Sequence, residues 1–251
     1  MFTEQTTLCP AQADDAMHGI TANYITPPPF TAPLKSRATR KIPLRSTASC
    51  RGSIVTRLNG VMITLHFESL LELMVILLLT TRGDVVEIWD QPPAITYYTP
   101  DGKQKTHNYD LLASLNDGRK IAIAVKYEER ASEAAFQADM SRIAQATPKK
   151  FADDVVVMSE ADFTRAQAIN AARYFEFNKH PDAAADIAVK AVISEQHGAV
   201  SMKSIVEQTE LGNRAYRATV KAVFANILKL QQPGVITPRS IVLPTRKGGL
   251  L

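Results

Sequence analysis

The chain has 251 residues, of which 45% are apolar and 22% charged, proportions ordinary for a globular protein. Its formal charge of +4 and isoelectric point near 9.0 admit a polyanionic partner without requiring one. Two cysteines, Cys9 and Cys50, exclude a disulfide framework, and no Cys/His cluster suggests structural zinc.

The first residues lack a charged region followed by an apolar one, so no signal peptide is expected. The apolar run 70–79 is far shorter than the about 20 residues a membrane span needs. These features predict a cytoplasmic protein.

Residues 1–35 are rich in Thr, Ala and Pro and read as a flexible arm. Lys35, Arg37, Arg40, Lys41 and Arg45 follow as a basic stretch, either a solvated linker or an arm that contacts phosphates. Residues 53–57 and 61–67 are β-branched or aromatic runs separated by Leu58-Asn59-Gly60, a hairpin signal. A helix is expected from about Glu68 through the apolar run, with Gly83 as its C-cap. Glu68 and Glu72 then share one face of it.

Residues 85–89 resume strand character until Gln91-Pro92-Pro93. Residues 95–98 form a short strand before the turn Pro100-Asp101-Gly102. Residues 106–115 and 119–127 are the clearest strand pair, joined through Asn116-Asp117-Gly118. If this loop has three residues, with Gly118 left-handed, Asp110 opposes Ala124 and Lys126 is its diagonal neighbour on the same face. A two-residue loop would put them on opposite faces.

Ser132 is the expected N-cap of a helix burying Phe136, Met140 and Ile143. A strand over 155–158 precedes a helix capped by Ser159 and running towards Tyr174. The pattern predicts an α/β fold, a mixed sheet flanked by helices. Beyond His180-Pro181, helices are expected over 183–195, 201–209 and 214–230, then a hairpin of 235–236 with 241–243. That order is a winged helix-turn-helix. The helix over 214–230 carries Arg214, Arg217 and Lys221 at helical spacing, as a solvated face or as DNA contacts.

Arg40-Lys41-Ile42-Pro43, Arg51-Gly52, Phe67-Glu68-Ser69-Leu70-Leu71-Glu72, Gln91-Pro92, Tyr109-Asp110 and Val125-Lys126 resemble, in order and spacing, the successive motifs of the TnsA family. These are transposon-end endonucleases with a restriction-endonuclease-like PD-(D/E)xK domain. The resemblance covers about 36–175. It implies an endonuclease-like domain over 36–178, a winged-helix-like domain over 179–251, and hydrolysis of phosphodiester bonds in double-stranded DNA.

By that resemblance Glu72 and Asp110 hold Mg²⁺ (or Mn²⁺), Lys126 stabilises charge or positions the attacking water, and Gln91 sits beside them. Glu72 is preferred to Glu68 for its distance to Gln91-Pro92. The implied partners are a TnsB-like transposase and a TnsC-like AAA+ regulator. Two departures stand out: Tyr109 replaces a proline, and Ala124 stands where the family has Glu or Gln. A methyl group cannot ligate a metal. Either Glu72, Asp110, a backbone carbonyl and waters suffice, or the domain binds DNA and partners without cutting.

Overall fold

The structure, a computed structural model, describes residues 31–40 and 50–245. The arm over 1–30, and Lys41 and Arg45 of the basic stretch, lie outside the described residues. Asn59 and Gly60 take left-handed backbone angles, φ 45° and 80°, as a two-residue hairpin turn requires. They join β1 (Gly52–Leu58) to β2 (Val61–Phe67) in an antiparallel pair.

Helix α1 spans Leu70–Thr80 and starts two residues later than the sequence suggests. Ser69 is the N-cap because its Oγ accepts from the Glu72 N–H at 3.1 Å. Gly83 is not the C-cap. Thr81 closes the helix instead, with its N–H bonded to Leu78 and with the Thr80 and Thr81 hydroxyls on the Leu77 and Leu78 carbonyls. The threonines satisfy carbonyls that a left-handed glycine would otherwise serve.

Four strands form the central sheet, in the order β3 (Val85–Asp90), β6 (Leu111–Leu115), β7 (Lys120–Val125), β8 (Asp154–Met158). The first three are antiparallel and β8 is parallel to β7, so a crossover must separate these last two. It contains α2 (Glu128–Ala131) and α3 (Ala134–Ala146). A small hairpin of β4 (Ile95–Tyr98) and β5 (Gln104–His107) interrupts the path from β3 to β6. The strand expected over 106–115 is therefore broken at 108–110, where the chain leaves one sheet and enters another.

Two apolar layers hold the sheet. Val75, Ile76 and Leu79 of α1 pack with Leu58, Leu65 and Phe67 of the first hairpin and with Ile88, Leu111, Ile123 and Val125. Phe136, Met140 and Ile143 of α3 cover the other face with Tyr109, Leu112, Ala122 and Ala124. Ser132 ends α2 and does not cap α3, whose N-cap is Glu133. Ser159 caps only a short 3-10 turn (Glu160–Asp162), and Thr164 begins α4 (Arg165–Asn178) with a full capping box to Gln167.

Residues 34–40 run as a strap across β2 and β3. Leu34 exchanges backbone hydrogen bonds with Met62 (2.8 Å) and Thr64 (2.9 Å). Ser36 donates to Asp90 at 2.7 Å, and the Arg37 guanidinium lies 4.6 Å from the Trp89 ring centre. The Trp89 indole N–H in turn donates to the Arg37 carbonyl at 2.9 Å. The last residues of the expected arm are thus fixed on the sheet.

Helices α5 (Ala183–Ser194), α6 (Met202–Thr209) and α7 (Asn213–Phe224) surround a separate apolar cluster. α7 stops six residues before Leu230, because Asn226 turns left-handed (φ 54°) and the Ile227 N–H returns to Ala222. Leu228–Leu230 is then strand β10, paired with β11 (Ile241–Pro244), which also pairs with β9 (Val200–Ser201). The pair 235–236 is not a strand. Ile236 donates its N–H to Asn170 Oδ1 (2.9 Å), and Tyr216 and Arg173 donate to its carbonyl.

Asn170 also donates to the Gly234 carbonyl at 2.9 Å, so one α4 side chain satisfies two backbone groups of the 232–236 loop. The ring of Tyr174 meets Phe224 of α7 at 4.4 Å. Among the described residues no helix is long and apolar enough to cross a membrane. Asn170→Ala strands both loop groups, each costing about 1–3 kcal/mol, and lowers stability by about 2–4 kcal/mol in urea unfolding. A loss under about 0.5 kcal/mol would mean that water replaces both bonds.

Candidate active site

Asp110 sits at the bend just before β6. The β6–β7 register pairs Leu111 with Ile123, and the Leu115 N–H closes a three-residue loop onto Arg119 at 2.8 Å. Gly118 takes φ 89°, as the three-residue loop requires. The paired register ends at Leu111 and Ile123, and just beyond it Lys126 Nζ lies 3.4 Å from Asp110 Oδ2.

The ladder changes character here. The Asp110 N–H donates to the Ile123 carbonyl at 3.0 Å, while its own carbonyl accepts from the Gln91 N–H at 2.9 Å. Its side-chain Oδ2 accepts from the Val125 N–H at 2.7 Å and from Lys126 Nζ at 3.4 Å. A carboxylate thus takes the place of a backbone acceptor at the end of the sheet. Asp110 is only 7% exposed, so these donors are what permit a charge there. Lys126 also donates to the Val125 carbonyl at 2.8 Å. Its side chain is 39% exposed, so the ion pair adds at most about 1 kcal/mol to stability. The amine is nevertheless held at the carboxylate and open to solvent.

Glu72 is in the first turn of α1 and 8% exposed. It accepts from the Glu68 N–H at 2.9 Å and from Ser69 Oγ at 3.2 Å, reaching back over the helix start like a capping-box acid. Glu68 precedes the N-cap, so the two glutamates do not share a helix face. Burial pushes the Glu72 carboxyl above the ordinary glutamate range. The Glu68 N–H and the Ser69 hydroxyl oppose that shift, and the charges of Asp110 and Glu68 reinforce it. Asp110 is thus a like charge near Glu72, and it is itself paired with Lys126.

Gln91 follows β3, is 1% exposed and adopts φ 46°. Its carbonyl accepts from the Thr39 N–H (3.0 Å) and hydroxyl (3.1 Å), and its Oε1 accepts from Arg40 Nε at 2.9 Å. Arg40 also donates to Glu68 at 2.9 Å. The sequence offers Arg40 as a solvated or a phosphate-contacting residue; here its Nε and Nη2 bind these two groups. Neighbouring Asp90, which no sequence signal singled out, is buried and accepts from Ser36 (2.7 Å) and the His66 N–H (2.8 Å). An acid at a strand end beside a Gln-Pro break is the cue that could have found it.

His107 ends β5. Burial pulls its pKa down, with Asp110 opposing and Lys126 reinforcing the shift, and its ring meets Tyr109 edge-on at 4.8 Å. Its Nε2 has no hydrogen-bond partner among the described residues. Ala124 is 0% exposed and packs among apolar residues under α3.

Two of the three candidate DNA contacts on α7 are engaged within the chain. Arg214 forms a two-pronged pair with Asp182 (2.7 and 2.9 Å), and Lys221 pairs with Asp186 at 2.6 Å. The Arg214 hydrogen bond, with the Ala185 N–H, holds the Asp182 carboxyl far below its usual range. These cations face α5, because α5 and α7 pack together. Arg217 lies half-buried between them in sequence. Lys41 is outside the described residues.

Among the described residues no three His, Cys, Asp or Glu side chains gather to hold a metal ion. Glu72 and Asp110 carry carboxylates, the hard oxygen donors of which Mg²⁺ commonly takes one or two while keeping several waters. Their oxygens are hard donors, each carboxylate oxygen has more than one lone pair, and Asp110's charge raises the Glu72 carboxyl.

With its pKa raised, folded Glu72 keeps its proton at pH values where the unfolded chain has lost it. Its contribution to stability is therefore greatest in acid and falls as pH rises from about 4.5 through the higher folded value. Glu72→Gln removes that fall. Urea midpoints of the variant and the parent, compared between about pH 4 and pH 7, will shift in the variant's favour as pH rises; parallel curves would contradict this. No protein-family model matches the chain, and no curated protein matches it.

Proposed function

We propose that the chain is a metal-dependent DNA endonuclease resembling the TnsA family, acting on phosphodiester bonds at transposon ends. The observation that carries this reading is the Asp110 carboxylate held by the Val125 N–H and Lys126 Nζ, with buried Glu72 within reach of its charge. The order α1, β3, β6, β7, α3, β8 around a mixed four-stranded sheet supports a restriction-endonuclease-like domain. The succession α5, α6, α7 with the three-stranded β9–β11–β10 sheet supports a winged-helix-like domain after residue 178.

In this reading Glu72 and Asp110 hold Mg²⁺ or Mn²⁺, which when bound supplies charge neutralisation at the phosphate and a more acidic water. Lys126 Nζ, close to Asp110 and open to solvent, donates to a non-bridging phosphate oxygen as negative charge develops. The Val125 N–H and carbonyl keep both side chains in place. Double-stranded DNA is the substrate, and a TnsB-like transposase and TnsC-like AAA+ regulator are the partners.

A second reading has its own support. Ala124 is fully buried among apolar side chains, so the position opposite Asp110 offers no ligand. A nuclease fold retained for DNA binding and assembly fits that feature. Nicking of an end-containing duplex with Mg²⁺ or Mn²⁺, with and without those two partners, separates the two readings. Asp110→Ala is expected to lower the wild-type rate by about 10³-fold. Equal rates in both proteins would favour the non-cutting role, and cutting without partners would point to a stand-alone nuclease.

A further inference from the structure

Arg40 is joined by one residue to each of the two acids. Its Nε donates to Gln91 Oε1 at 2.9 Å, and the Gln91 N–H donates to the Asp110 carbonyl at 2.9 Å. Its Nη2 donates to Glu68 at 2.9 Å, and the Glu68 N–H donates to the Glu72 carboxylate at 2.9 Å. One rigid fork therefore spans the segment leading into α1 and the segment leaving β3.

The chemistry of the two side chains fixes their orientation. A guanidinium only donates, so the Gln91 amide must turn its oxygen to Arg40 and its NH₂ away. That NH₂ is buried without a partner among the described residues. Gln91 also holds a left-handed backbone angle, a conformation costing about 1 kcal/mol or more for a non-glycine residue. Such a residue persists only where its surroundings over-determine it. Here they do, through Thr39, Arg40 and Asp110.

Stability alone is a poor account of this clamp. The Arg40 side chain is 40% exposed, and ion pairs that open to water contribute about 0–1 kcal/mol. Geometry is what the fork supplies. We propose that Arg40 is a positioning residue, which fixes the placement of Glu72 relative to Asp110 by clamping Glu68 and Gln91. The proposal rests on the endonuclease reading and replaces the phosphate-contact role that the sequence suggests for Arg40. Because Arg40 belongs to the strap that begins at Leu34, docking of that strap on β2 and β3 becomes part of the site's assembly.

The test compares Arg40→Ala, Arg40→Lys and, as a surface ion-pair control, Arg82→Ala, in the nicking reaction with Mg²⁺. Loss of an outer-sphere positioning contact typically costs 10–100-fold, so kcat should fall by about that factor in both Arg40 variants. KM for DNA should stay within about twofold, because no phosphate contact is lost. Lysine should not rescue, since a point charge cannot span both acceptors. Wild-type kcat in Arg40→Lys, or an Arg40→Ala effect confined to KM, would overturn the proposal. The second readout needs no activity. The Gln91 side-chain amide pair in ¹⁵N–¹H spectra should shift in both Arg40 variants together with the Glu72 backbone amide, and stay fixed in Arg82→Ala. Unmoved signals in Arg40→Ala would overturn the clamp even if the parent cuts DNA. Shifted signals in the Arg40 variants of a parent that never cuts would leave the clamp standing and reject the nuclease reading.

Discussion

A buried aspartate takes over the work of a backbone acceptor at the end of the central sheet, and the rest of the site depends on it. Asp110 Oδ2 receives the Val125 N–H, while the Asp110 carbonyl serves Gln91 and its N–H serves Ile123. One residue thereby ties β3, β6 and β7 together where their ladders end. A neutral side chain of the same length would keep part of this network but lose the charge that draws Lys126 Nζ to 3.4 Å. The penalty of burying a carboxylate is offset locally by the donors of the sheet.

Glu72 reaches the same region from the opposite direction, through the start of a helix that is apolar on nearly every side. The Ser69 cap and the Glu68 N–H give its carboxylate donors, yet the group remains harder to ionise than a free glutamate. Helix capping explains why an acid is tolerated there. It does not explain why a second acid lies within range to oppose its charge. A divalent cation shared by the two carboxylates would remove that conflict.

Much of this was legible in the sequence because short-range rules governed it. Asn59-Gly60 and Asn116-Asp117-Gly118 set two hairpin registers, and Asp110 and Lys126 meet at 3.4 Å just beyond the end of the second. The errors fell where a side chain competes with a backbone rule. Ser69 and the threonines at 80–81 displaced both ends of α1, and Asn226 ended α7 where apolar periodicity runs on. Tertiary contacts were invisible altogether. Nothing local says that Arg214 and Lys221 turn to α5, that Asn170 holds the 232–236 loop, or that Arg40 folds inward to Gln91 and Glu68. A basic residue in sequence is only a candidate for phosphate until its own carboxylates are located.

The central claim is that Glu72 and Asp110 share one divalent cation. Binding of Mn²⁺ followed by electron paramagnetic resonance tests this without DNA, partners or turnover, on the parent chain, Glu72→Gln and Asp110→Asn. The account predicts one saturable site in the parent, weakened about tenfold or more in each variant. Equal binding in all three proteins, or no saturable binding in the parent, would contradict it.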